Sequence, residues 1–355
     1  MAASDGARRF PRDAQQKFIA DAFRAVGMPA ADAARVGELM TEADLIGADA
    51  HGIFRLPQYI RRIRGGAVNV TPRIEVSVTG AATALVDGDN GMGHLVMARA
   101  AETAVELARS SGVGWVGARR SNHAGPAALY AAMPVKHGMI GLYSAVASAN
   151  HMAPWGGVEH LLGPNPLAVG IPVGDGPPVV LDIATTVVSY GTVKAAALAG
   201  KPFPEGWLVS KHDGAPVTDA SKLSEALLVP LGGYKGSGLA LVLGLLAGVL
   251  NGAAFGSEVI DFNADDTSET NTGHFVVALD IARFIDPQTF AREAARHLDE
   301  LRRSQPMPGQ GPIRLPGDAR AVRIAERSRD GVPIPPQLYA QLEKLAGELG
   351  LRLPA

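Results

Sequence analysis

Apolar runs that alternate with helical segments from residue 113 onward constrain the fold of this chain more than any other feature. Strand-like runs lie at 113–118, 139–147, 166–173, 178–183 and 274–281. Helical periodicity falls between them and beyond, at 124–137, 186–199, 236–252 and 287–303. Strands that alternate with helices pack as a sheet covered by helices, so the pattern predicts an α/β fold.

The two ends of the chain have a more helical pattern. Apolar periodicity predicts helices at 11–27 and 30–47, and a long helix that ends near Gly112. Short strands are expected around Ile74 to Val78 and at 83–86. An extended connector rich in Pro and Gly occupies 304–318, and two polar helices follow, at about 318–330 and 335–349.

Composition excludes several classes of function. The 355 residues are enough for two or three packed units, and a net charge of −2 gives no field that favours nucleic acid or an anionic membrane. There are no cysteines, which excludes disulfides, thiolate nucleophiles and Cys-ligated zinc. The segment Met1 to Arg12 is polar, without the apolar core of a signal peptide. We therefore expect a cytoplasmic protein.

The longest apolar run, Gly238 to Leu250, has 13 residues, which are too few to span a bilayer. Its glycines suit close helix packing, and the run predicts a buried helix rather than a membrane anchor. Just before it, the segment Gly232 to Gly238 brings backbone N–H groups and Lys235 to a helix N-terminus. From the residues alone this segment is either a site for a phosphate or other anion, or a plain tight turn.

A second glycine-rich segment, Gly112-Val113-Gly114-Trp115-Val116-Gly117, matches the letters of the dinucleotide-binding fingerprint. Its glycines precede or lie within a predicted strand. The fingerprint requires them after a strand, at the start of a helix. The match is therefore rejected.

The segment from Ala48 to Arg62 holds the most informative pair of side chains. His51 and Arg55 lie four residues apart in a turn that contains glycine, before Pro57 begins a new segment. A histidine can transfer a proton near neutral pH, and a guanidinium can hold a carboxylate through two bonds. The pair suggests chemistry on a small carboxylic acid; the alternative is a buried turn histidine beside a surface arginine.

Other polar segments fall where strands end, a common place for ligands in α/β proteins. They are Ser121-Asn122-His123-Ala124-Gly125, Gly163-Pro164-Asn165-Pro166 and Leu181-Asp182-Ile183-Ala184-Thr185-Thr186. A carboxylate between Val180 and Ile183 is poorly solvated and needs a partner, either a histidine that it orients or backbone N–H groups. His151 and His160 have no spacing that indicates a metal site, and no metal is expected.

These segments together resemble the malate/L-lactate dehydrogenase family of the non-Rossmann type. That family includes ureidoglycolate and sulfolactate dehydrogenases and the Δ1-piperideine-2-carboxylate and Δ1-pyrroline-2-carboxylate reductases. The matching motifs include His51-Gly52 with Arg55-Leu56-Pro57-Gln58-Tyr59, Gly91-Met92-Gly93, Ser121 to Gly125, Ala153 to Gly157, Pro204-Glu205-Gly206-Trp207 and Leu231 to Gly236. They occur in the family's order from about residue 11 to 350.

The resemblance implies a mixed-sheet cofactor domain with helical N- and C-terminal parts. The expected domains are an N-terminal helical and substrate-side region at 1–118, an NAD(P)-binding α/β domain at 119–285, and a C-terminal helical arm at 286–355 that packs with the N-terminal region. It also implies a homodimer that binds NADH or NADPH and a small carboxylic acid.

The resemblance also assigns roles to individual residues. His51, held by Asp182, is expected to donate a proton, with His123 as a second acid/base candidate; Arg55 and Asn165 are expected to bind substrate. The cofactor is expected at Ser121, Asn122, His123, Gly125, Asp182, Ile183, Thr185, Gly232, Lys235 and Gly236. Two positions depart from the family pattern. Ala50 stands where a serine usually precedes the histidine, and Gly244 stands where many members have a glutamate.

The predicted reaction is hydride transfer to or from C2 of a small 2-oxo or 2-hydroxy acid. A cyclic imine reductase that acts on Δ1-pyrroline-2-carboxylate or Δ1-piperideine-2-carboxylate is the alternative within the family. Two other classes remain open, a phosphate-binding transferase or hydrolase built on Gly232 to Gly238, and a relative that has lost turnover, for which Ala50 is the hint.

Overall fold

The structure, a computed structural model, describes residues 8–198 and 200–354, without the side chain of Leu198. The predicted polar N-terminus therefore lies outside the described residues as far as residue 7, as does position 199 of the predicted helix 186–199.

Eleven strands are present among the described residues. They are β1 (Arg8–Phe10), β2 (Glu75–Gly80), β3 (Thr83–Asp87), β4 (Val113–Ser121), β5 (Met139–Ala145), β6 (Leu167–Ile171), β7 (Val179–Ile183), β8 (Leu208–Ser210), β9 (Ala226–Leu228), β10 (Thr272–Asp280) and β11 (Val332–Ile334). Seven of them form one mixed sheet in the order β2-β3-β4-β10-β5-β6-β7, with β3 and β4 parallel and the other neighbours antiparallel. At its centre, Val276 of β10 pairs with Val116 of β4 and with Tyr143 of β5.

The described residues also form ten α-helices. They are α1 (Arg12–Ala25), α2 (Ala30–Leu45), α3 (Leu56–Arg64), α4 (Gly93–Ser111), α5 (Ala128–Ala132), α6 (Tyr190–Leu198), α7 (Tyr234–Ala247), α8 (Pro287–Arg302), α9 (Asp318–Asp330) and α10 (Pro336–Leu349). The predicted α/β class is confirmed. One predicted helix, 124–137, is not continuous: it forms as the short α5 and a 3-10 turn at Pro134–His137, because Pro134 interrupts it.

The glycines of the rejected fingerprint serve packing. Gly112 ends α4 in the left-handed conformation, with φ +84°. A Cβ on Gly114 would lie 2.1 Å from the carbonyl oxygen of Ala104 in α4, and one on Gly117 would lie 1.9 Å from Asn251 Oδ1. These positions are glycine because α4 and the loop at Asn251 press against β4 on both sides, and this explains the false match.

The two ends of the chain meet beside the sheet. β1 pairs with β11 in an antiparallel two-stranded sheet, in which Phe10 lies opposite Val332. Helices α1, α2, α3 and α10 share one apolar core next to this pairing. The boundary expected at residue 118 falls inside β4, and β2 and β3 share the central sheet with strands from the region 119–285.

Helix α7 is less buried than its sequence predicts. Leu243 and Ala247 are buried, but Leu241, Val242 and Leu245 are 46%, 51% and 43% exposed and form one apolar face. The stretch Tyr234–Asn251 is 18 residues long and, by length and composition alone, apolar enough to cross a membrane. The core helices of water-soluble proteins pass the same test, and 44% of the stretch is buried inside this chain. The predicted buried helix is therefore buried on one side only in the described chain.

Candidate active site

A cavity of about 590 Å³ lies between the His51 turn, the ends of β5 and β7, and the start of α9. Its wall includes His51, Arg55, His123, Asp182 and His274. Sites for small molecules usually have volumes in this range, with a few polar groups on an otherwise apolar wall. Sequence motifs more than 200 residues apart therefore meet at one cavity.

The His51 turn rests on a carboxyl group that sequence reasoning missed. Asp44, buried near the end of α2, accepts hydrogen bonds from Ile53 N–H (2.8 Å) and Gln15 Nε2 (2.6 Å). A Cβ at Gly52 would lie 1.9 Å from Asp44 Oδ1, so this turn can follow the carboxyl only with a glycine. Burial raises the pKa of Asp44 to about 8, against the hydrogen bond from Ile53, which lowers it.

His51 and His123 form a pair. His51 Nδ1 lies 3.3 Å from His123 Nε2, and the two rings are nearly parallel. The second nitrogen of His123, Nδ1, lies 2.5 Å from the hydroxyl oxygen of Tyr59 and also accepts from Gly125 N–H at 3.4 Å. Both ring nitrogens of His123 are thus engaged inside the protein. His51 Nε2 has no hydrogen-bond partner among the described residues.

Burial keeps these histidines neutral. It lowers the pKa of His51 to about 3, with a further contribution from the Arg55 charge. Burial, followed by the charges of His51 and Arg55, lowers the pKa of His123 well below its usual range. An anion bound at Arg55 offsets that positive charge and raises the pKa of both rings.

Arg55 is only partly available as a clamp. Its Nε donates to the Ala50 carbonyl (2.9 Å), and its Nη1 donates to Gln58 Oε1 (2.6 Å) and Asn263 Oδ1 (3.1 Å). Nη2 has no acceptor among the described residues. A carboxylate can meet Nη2 directly, but two parallel bonds require Asn263 or Gln58 to release Nη1. The predicted two-bond clamp is not preformed.

The expected pairing of Asp182 with His51 is wrong. Asp182 Oδ2 accepts from Ala128 N–H at 3.0 Å and lies 3.8 Å from Arg320 Nη2, and no hydrogen bond joins it to His51. Burial raises the pKa of Asp182, opposed by these two partners. Its backbone register on β7 directs the carboxylate to α5 and α9, on the cavity wall. The sequence left two kinds of partner open for this carboxylate, a histidine or backbone N–H groups. The structure has a backbone N–H group in this role, together with Arg320.

Three polar residues assigned to ligands are used inside the fold instead. Asn165 is fully buried, with Oδ1 accepting from Ala147 N–H and Nδ2 donating to the Ala240 carbonyl of α7. Asn122 donates to Asn90 and Gly91, and Ser121 is buried at the end of β4. None of the three lines the cavity. Their amide and hydroxyl groups satisfy buried backbone, which sequence spacing cannot distinguish from ligand binding.

The remaining cofactor residues divide between the cavity and α7. Gly125 lines the cavity with φ +79°, a conformation that favours glycine. Ile183, Thr185, Gly232, Lys235 and Gly236 lie outside its wall. A Cβ on Gly236 would lie 2.5 Å from the Leu231 carbonyl oxygen and 2.6 Å from that of Thr185, so this glycine allows α7 to start against β7's extension. The close packing at Gly236 accounts for one glycine of the segment Gly232 to Gly238, and the anion site stays a prediction.

The structure adds cavity residues that no motif indicated. Arg320 and Arg323 project from the first turns of α9, and Asp182 is the only carboxylate within 4 Å of either among the described residues. On another wall His151 stacks on Tyr190 with ring centroids 3.5 Å apart. Sequence reasoning missed the two arginines because α9 follows the connector and joins the site only in three dimensions. Within the described residues, no group of three or more acidic or histidine side chains could hold a metal.

At Gly244, one of the two departures from the family pattern, a side chain has no room. A Cβ would lie 2.3 Å from the ring of Phe255 and 2.7 Å from Asn165 Nδ2. The buried amide of Asn165 and the ring of Phe255 occupy the space that a glutamate would need. At the other departure, Ala50, the carbonyl group accepts the Arg55 Nε–H bond and the methyl group leaves His51 without a neighbouring hydroxyl.

The mostly antiparallel sheet, with a cavity lined by a histidine pair and an arginine, defines an α/β protein outside the doubly wound parallel class. A sequence profile described as malate/L-lactate dehydrogenase matches residues 10–343. The chain belongs to the malate/L-lactate dehydrogenase family. It is an NAD(P)-dependent dehydrogenase of the 2-hydroxy-acid type.

Similar proteins cover nearly the whole chain. The malate dehydrogenase of Pyrococcus horikoshii is 34% identical over 352 residues, which cover 97% of this chain and 96% of the relative. Ureidoglycolate dehydrogenase (NAD(+)) of Escherichia coli O157:H7 is 30% identical, with 94% and 95% covered. The (2R)-3-sulfolactate dehydrogenase (NADP(+)) of Chromohalobacter salexigens is 33% identical, with 94% and 97% covered.

Solved structures agree with the fold. The malate dehydrogenase of Pyrococcus horikoshii OT3 superposes with a TM-score of 0.90 at 31% identity, covering 99% of this chain and 98% of the other. The Δ1-piperideine-2-carboxylate reductase of Pseudomonas syringae superposes with a TM-score of 0.82 at 28% identity, covering 96% of this chain and all of the other. The family resemblance inferred from the motifs is confirmed.

Proposed function

We propose that this enzyme catalyses the reversible reduction of a small 2-oxo acid to the 2-hydroxy acid, with His51 as the proton donor and Arg55 as the carboxylate ligand. The free Nε2 of His51 carries the proposal, because both nitrogens of His123 are engaged within the protein. Of the two histidines that the sequence could not rank, His51 alone can offer a ring nitrogen to a bound molecule. Positioned proton transfer of this kind contributes about 10²–10⁴-fold.

The cavity residues fit an anionic dinucleotide. Arg320 and Arg323 stand together, and Asp182 is the one carboxylate within 4 Å of either in the described part of the chain. Burial lowers the pKa of Arg320, the Asp182 charge opposes this, and the Arg323 charge adds to it. A phosphate relieves the repulsion between the two guanidinium groups. We propose that these arginines hold the cofactor's phosphates and that Gly125 lets its backbone approach closely. When bound, NADH or NADPH supplies the hydride that C2 receives.

Arg55 sets the position of the substrate. Arg55 is four residues from His51 along the chain and lines the same cavity, so a carboxylate that it holds places the neighbouring C2 oxygen towards His51. Binding of the anion also offsets the Arg55 charge, which raises the pKa of His51 towards the range in which it can donate a proton. Carboxylate binding and proton donation are therefore coupled.

The test is a substrate panel with both cofactors. We expect oxidation of NADH or NADPH with pyruvate, oxaloacetate or another 2-oxo acid, and loss of that activity in His51→Ala. The ratio of kcat/KM for the two cofactors identifies the preferred one. Nucleotide binding without turnover of any panel member would contradict the proposal and favour a relative that has lost catalysis.

A cyclic imine reductase is the second candidate. The likeness to the Δ1-piperideine-2-carboxylate reductase of Pseudomonas syringae favours it, because a 2-imino acid presents the same carboxylate and the same C2. Including Δ1-pyrroline-2-carboxylate and Δ1-piperideine-2-carboxylate in the panel separates the two. A kcat/KM at least tenfold higher for an imine than for every oxo acid would assign the reductase function.

We also propose a homodimer in which the exposed apolar face of α7 is covered by a second copy. Leu241, Val242 and Leu245 line up on this face, and an exposed apolar patch of this kind marks an interaction surface. Leu245→Glu should give a monomer by light scattering at micromolar concentration. Val322→Glu, at an exposed apolar residue of α9, is the control that should stay dimeric. A monomeric wild type would end this proposal.

A further inference from the structure

The hydrogen bonds around His123 have a direction that fixes where its proton lies. Gly125 N–H points at His123 Nδ1 from 3.4 Å, and a backbone N–H group can only donate. Nδ1 of His123 must therefore carry a lone pair. A neutral imidazole has one N–H group, so the proton of His123 lies on Nε2.

The position of the proton on His123 Nε2 also fixes the hydrogen positions on its two neighbours, Tyr59 and His51. Tyr59 lies 2.5 Å from His123 Nδ1 and must donate its hydroxyl hydrogen, because Nδ1 has none to give. On the other side, His123 Nε2–H donates to His51 Nδ1 across 3.3 Å, and His51 Nδ1 carries the lone pair. The proton of neutral His51 then lies on Nε2, the nitrogen without a partner in the described chain.

If the hydrogen bond between Tyr59 and His123 ran in the opposite direction, the buried hydroxyl group of Tyr59 would be left without an acceptor. If His123 Nδ1–H donated to Tyr59, the phenol hydrogen would need another acceptor, and Tyr59 has no second hydrogen-bond partner among the described residues. Tyr59 is 1% exposed, enclosed by the rings of Phe23, His94 and Phe262. An unsatisfied buried donor costs about 1–3 kcal/mol. The chain from Tyr59 through His123 to His51 therefore has one favoured direction.

We infer that Tyr59 is a positioning residue that sets the tautomers of His123 and His51, so that His51 presents Nε2–H to the cavity. In this enzyme the phenol group, through His123, takes over the orienting task for which a serine or Asp182 was expected. Ala50 is then compatible with an oriented His51, because His51 Nδ1 already accepts a hydrogen bond from His123 and does not need a neighbouring serine. The tautomers stand on hydrogen-bond geometry alone. Proton donation, which rests on the proposed function, requires His51 to take up a second proton once the substrate carboxylate is bound, because a neutral imidazole that gave away Nε2–H would be left as an imidazolate.

The charged and titratable groups around the pair favour the neutral state. They are Arg55 from the same turn, Tyr59 from α3, His94 from α4 and His274 from β10. None of them is a carboxylate, so an imidazolium finds no counter-charge before an anion binds. Its Nδ1–H would also point at the N–H of His123. The Tyr59 bond thus opposes protonation of His51 in the empty site.

Neutron diffraction from deuterium-exchanged crystals of the wild-type protein tests the tautomers without any turnover. We expect deuterium on Nε2 of both His51 and His123 and on the Tyr59 hydroxyl oxygen, directed at His123 Nδ1. Deuterium on Nδ1 of either histidine would overturn the inference. The result stands apart from the proposed function, which fails or survives on the substrate panel.

Tyr59→Phe tests the role of the phenol group in solution. The histidine Cε1–H resonances should titrate at higher pH in the variant, because His123 becomes free to accept from a protonated His51. The pH optimum of kcat should shift upward together with this titration, with the NAD(P)H Kd within twofold of wild type.

The matched control is Tyr130→Phe. Tyr130 is a fully buried tyrosine whose hydroxyl group donates to the Ala124 carbonyl oxygen rather than to a ring nitrogen. It should lose stability without moving the histidine titration. Equal titration curves in Tyr59→Phe and wild type would overturn the inference even if Tyr59→Phe loses activity, because a merely structural role predicts that combination.

Discussion

His51 Nδ1 and His123 Nε2 lie 3.3 Å apart, in rings whose planes differ by 11°. One hydrogen bond therefore joins two residues that stand 72 positions apart in the sequence. Because His123 has its other nitrogen engaged by Tyr59 and Gly125, it supports the ring of His51 rather than facing the cavity with a free nitrogen. The pair acts as a unit in which the two members have different tasks.

His51→Ala should lower kcat by at least ~10²-fold, the lower end for general acid catalysis, with little change in the NAD(P)H Kd. His123→Ala should also lower kcat, by about tenfold, because His51 loses the partner that orients it. Steady-state kinetics and nucleotide fluorescence titration measure both effects. His212→Ala, at an exposed histidine far along the chain, is the control. An inactive His123→Ala beside a fully active His51→Ala would reverse the assignment.

Arg55→Lys should raise KM for the 2-oxo acid about 10–100-fold. Lysine cannot reproduce the planar guanidinium that now bonds Ala50, Gln58 and Asn263 while its Nη2 has no acceptor in the described chain. Arg61→Lys provides the control on α3, the helix that follows Arg55, since Arg61 is an exposed residue that pairs with Asp266. An unchanged kcat/KM in Arg55→Lys would remove this arginine from the substrate site.

Gly236→Ala should destabilise the protein by about 1–3 kcal/mol, since the new Cβ meets backbone atoms of Leu231 and Thr185 at 2.5–2.6 Å. Gly238→Ala, two residues along α7, has nothing within 4 Å of its Cβ and should stabilise by up to about 1 kcal/mol. Urea unfolding of the two variants measures the difference. Equal midpoints would mean that α7 does not pack on the Thr185 segment as described.

Stability should fall when the pH drops below about 6.5. Burial lowers the pKa of His51, His94 and His274 to about 3. Between pH 6.5 and 3 these histidines are therefore protonated in the unfolded chain and neutral in the folded chain, which lowers the free energy of unfolding as the pH falls. Asp44 acts in the opposite sense. Because its pKa is about 8 in the folded state, its contribution to the free energy of unfolding is fully present below about pH 4 and is lost as the pH rises to 8. Three histidines act against one aspartate, so the free energy of unfolding falls overall as the pH drops.

Urea unfolding between pH 6.5 and 5 measures this dependence, above the range in which ordinary carboxylates titrate. Each histidine contributes a slope of up to about 1.4 kcal/mol per pH unit. His94→Leu removes one titrating ring whose two nitrogens have no hydrogen-bond partner, and should flatten the slope by about that amount. A slope in His94→Leu equal to that of wild type would mean that His94 is protonated or solvated in the folded state.

Local sequence patterns determined the helices and most strands, because a helix or strand is specified by the spacing of apolar residues within one segment. The predicted ranges 11–27 and 287–303 correspond to α1 and α8, and 274–281 corresponds to β10. The local pattern was also enough to reject Gly112 to Gly117 as a dinucleotide-binding fingerprint, because the glycines of that fingerprint follow a strand and do not lie inside one. The His51 and Arg55 spacing likewise placed both residues on one turn beside the cavity.

Tertiary structure alone decided which side chains meet. β10 lies between β4 and β5 although more than 120 residues separate it from either, and this order brings His274 beside the cavity. The partner of His51 is His123 and not Asp182, a choice made by side-chain directions at the ends of β4 and β7. Buried asparagines such as Asn165 look like ligand-binding residues until their backbone partners are known. Apolar periodicity is a property of one segment, whereas a hydrogen bond between distant residues depends on angstrom-scale positions that only the packed fold provides.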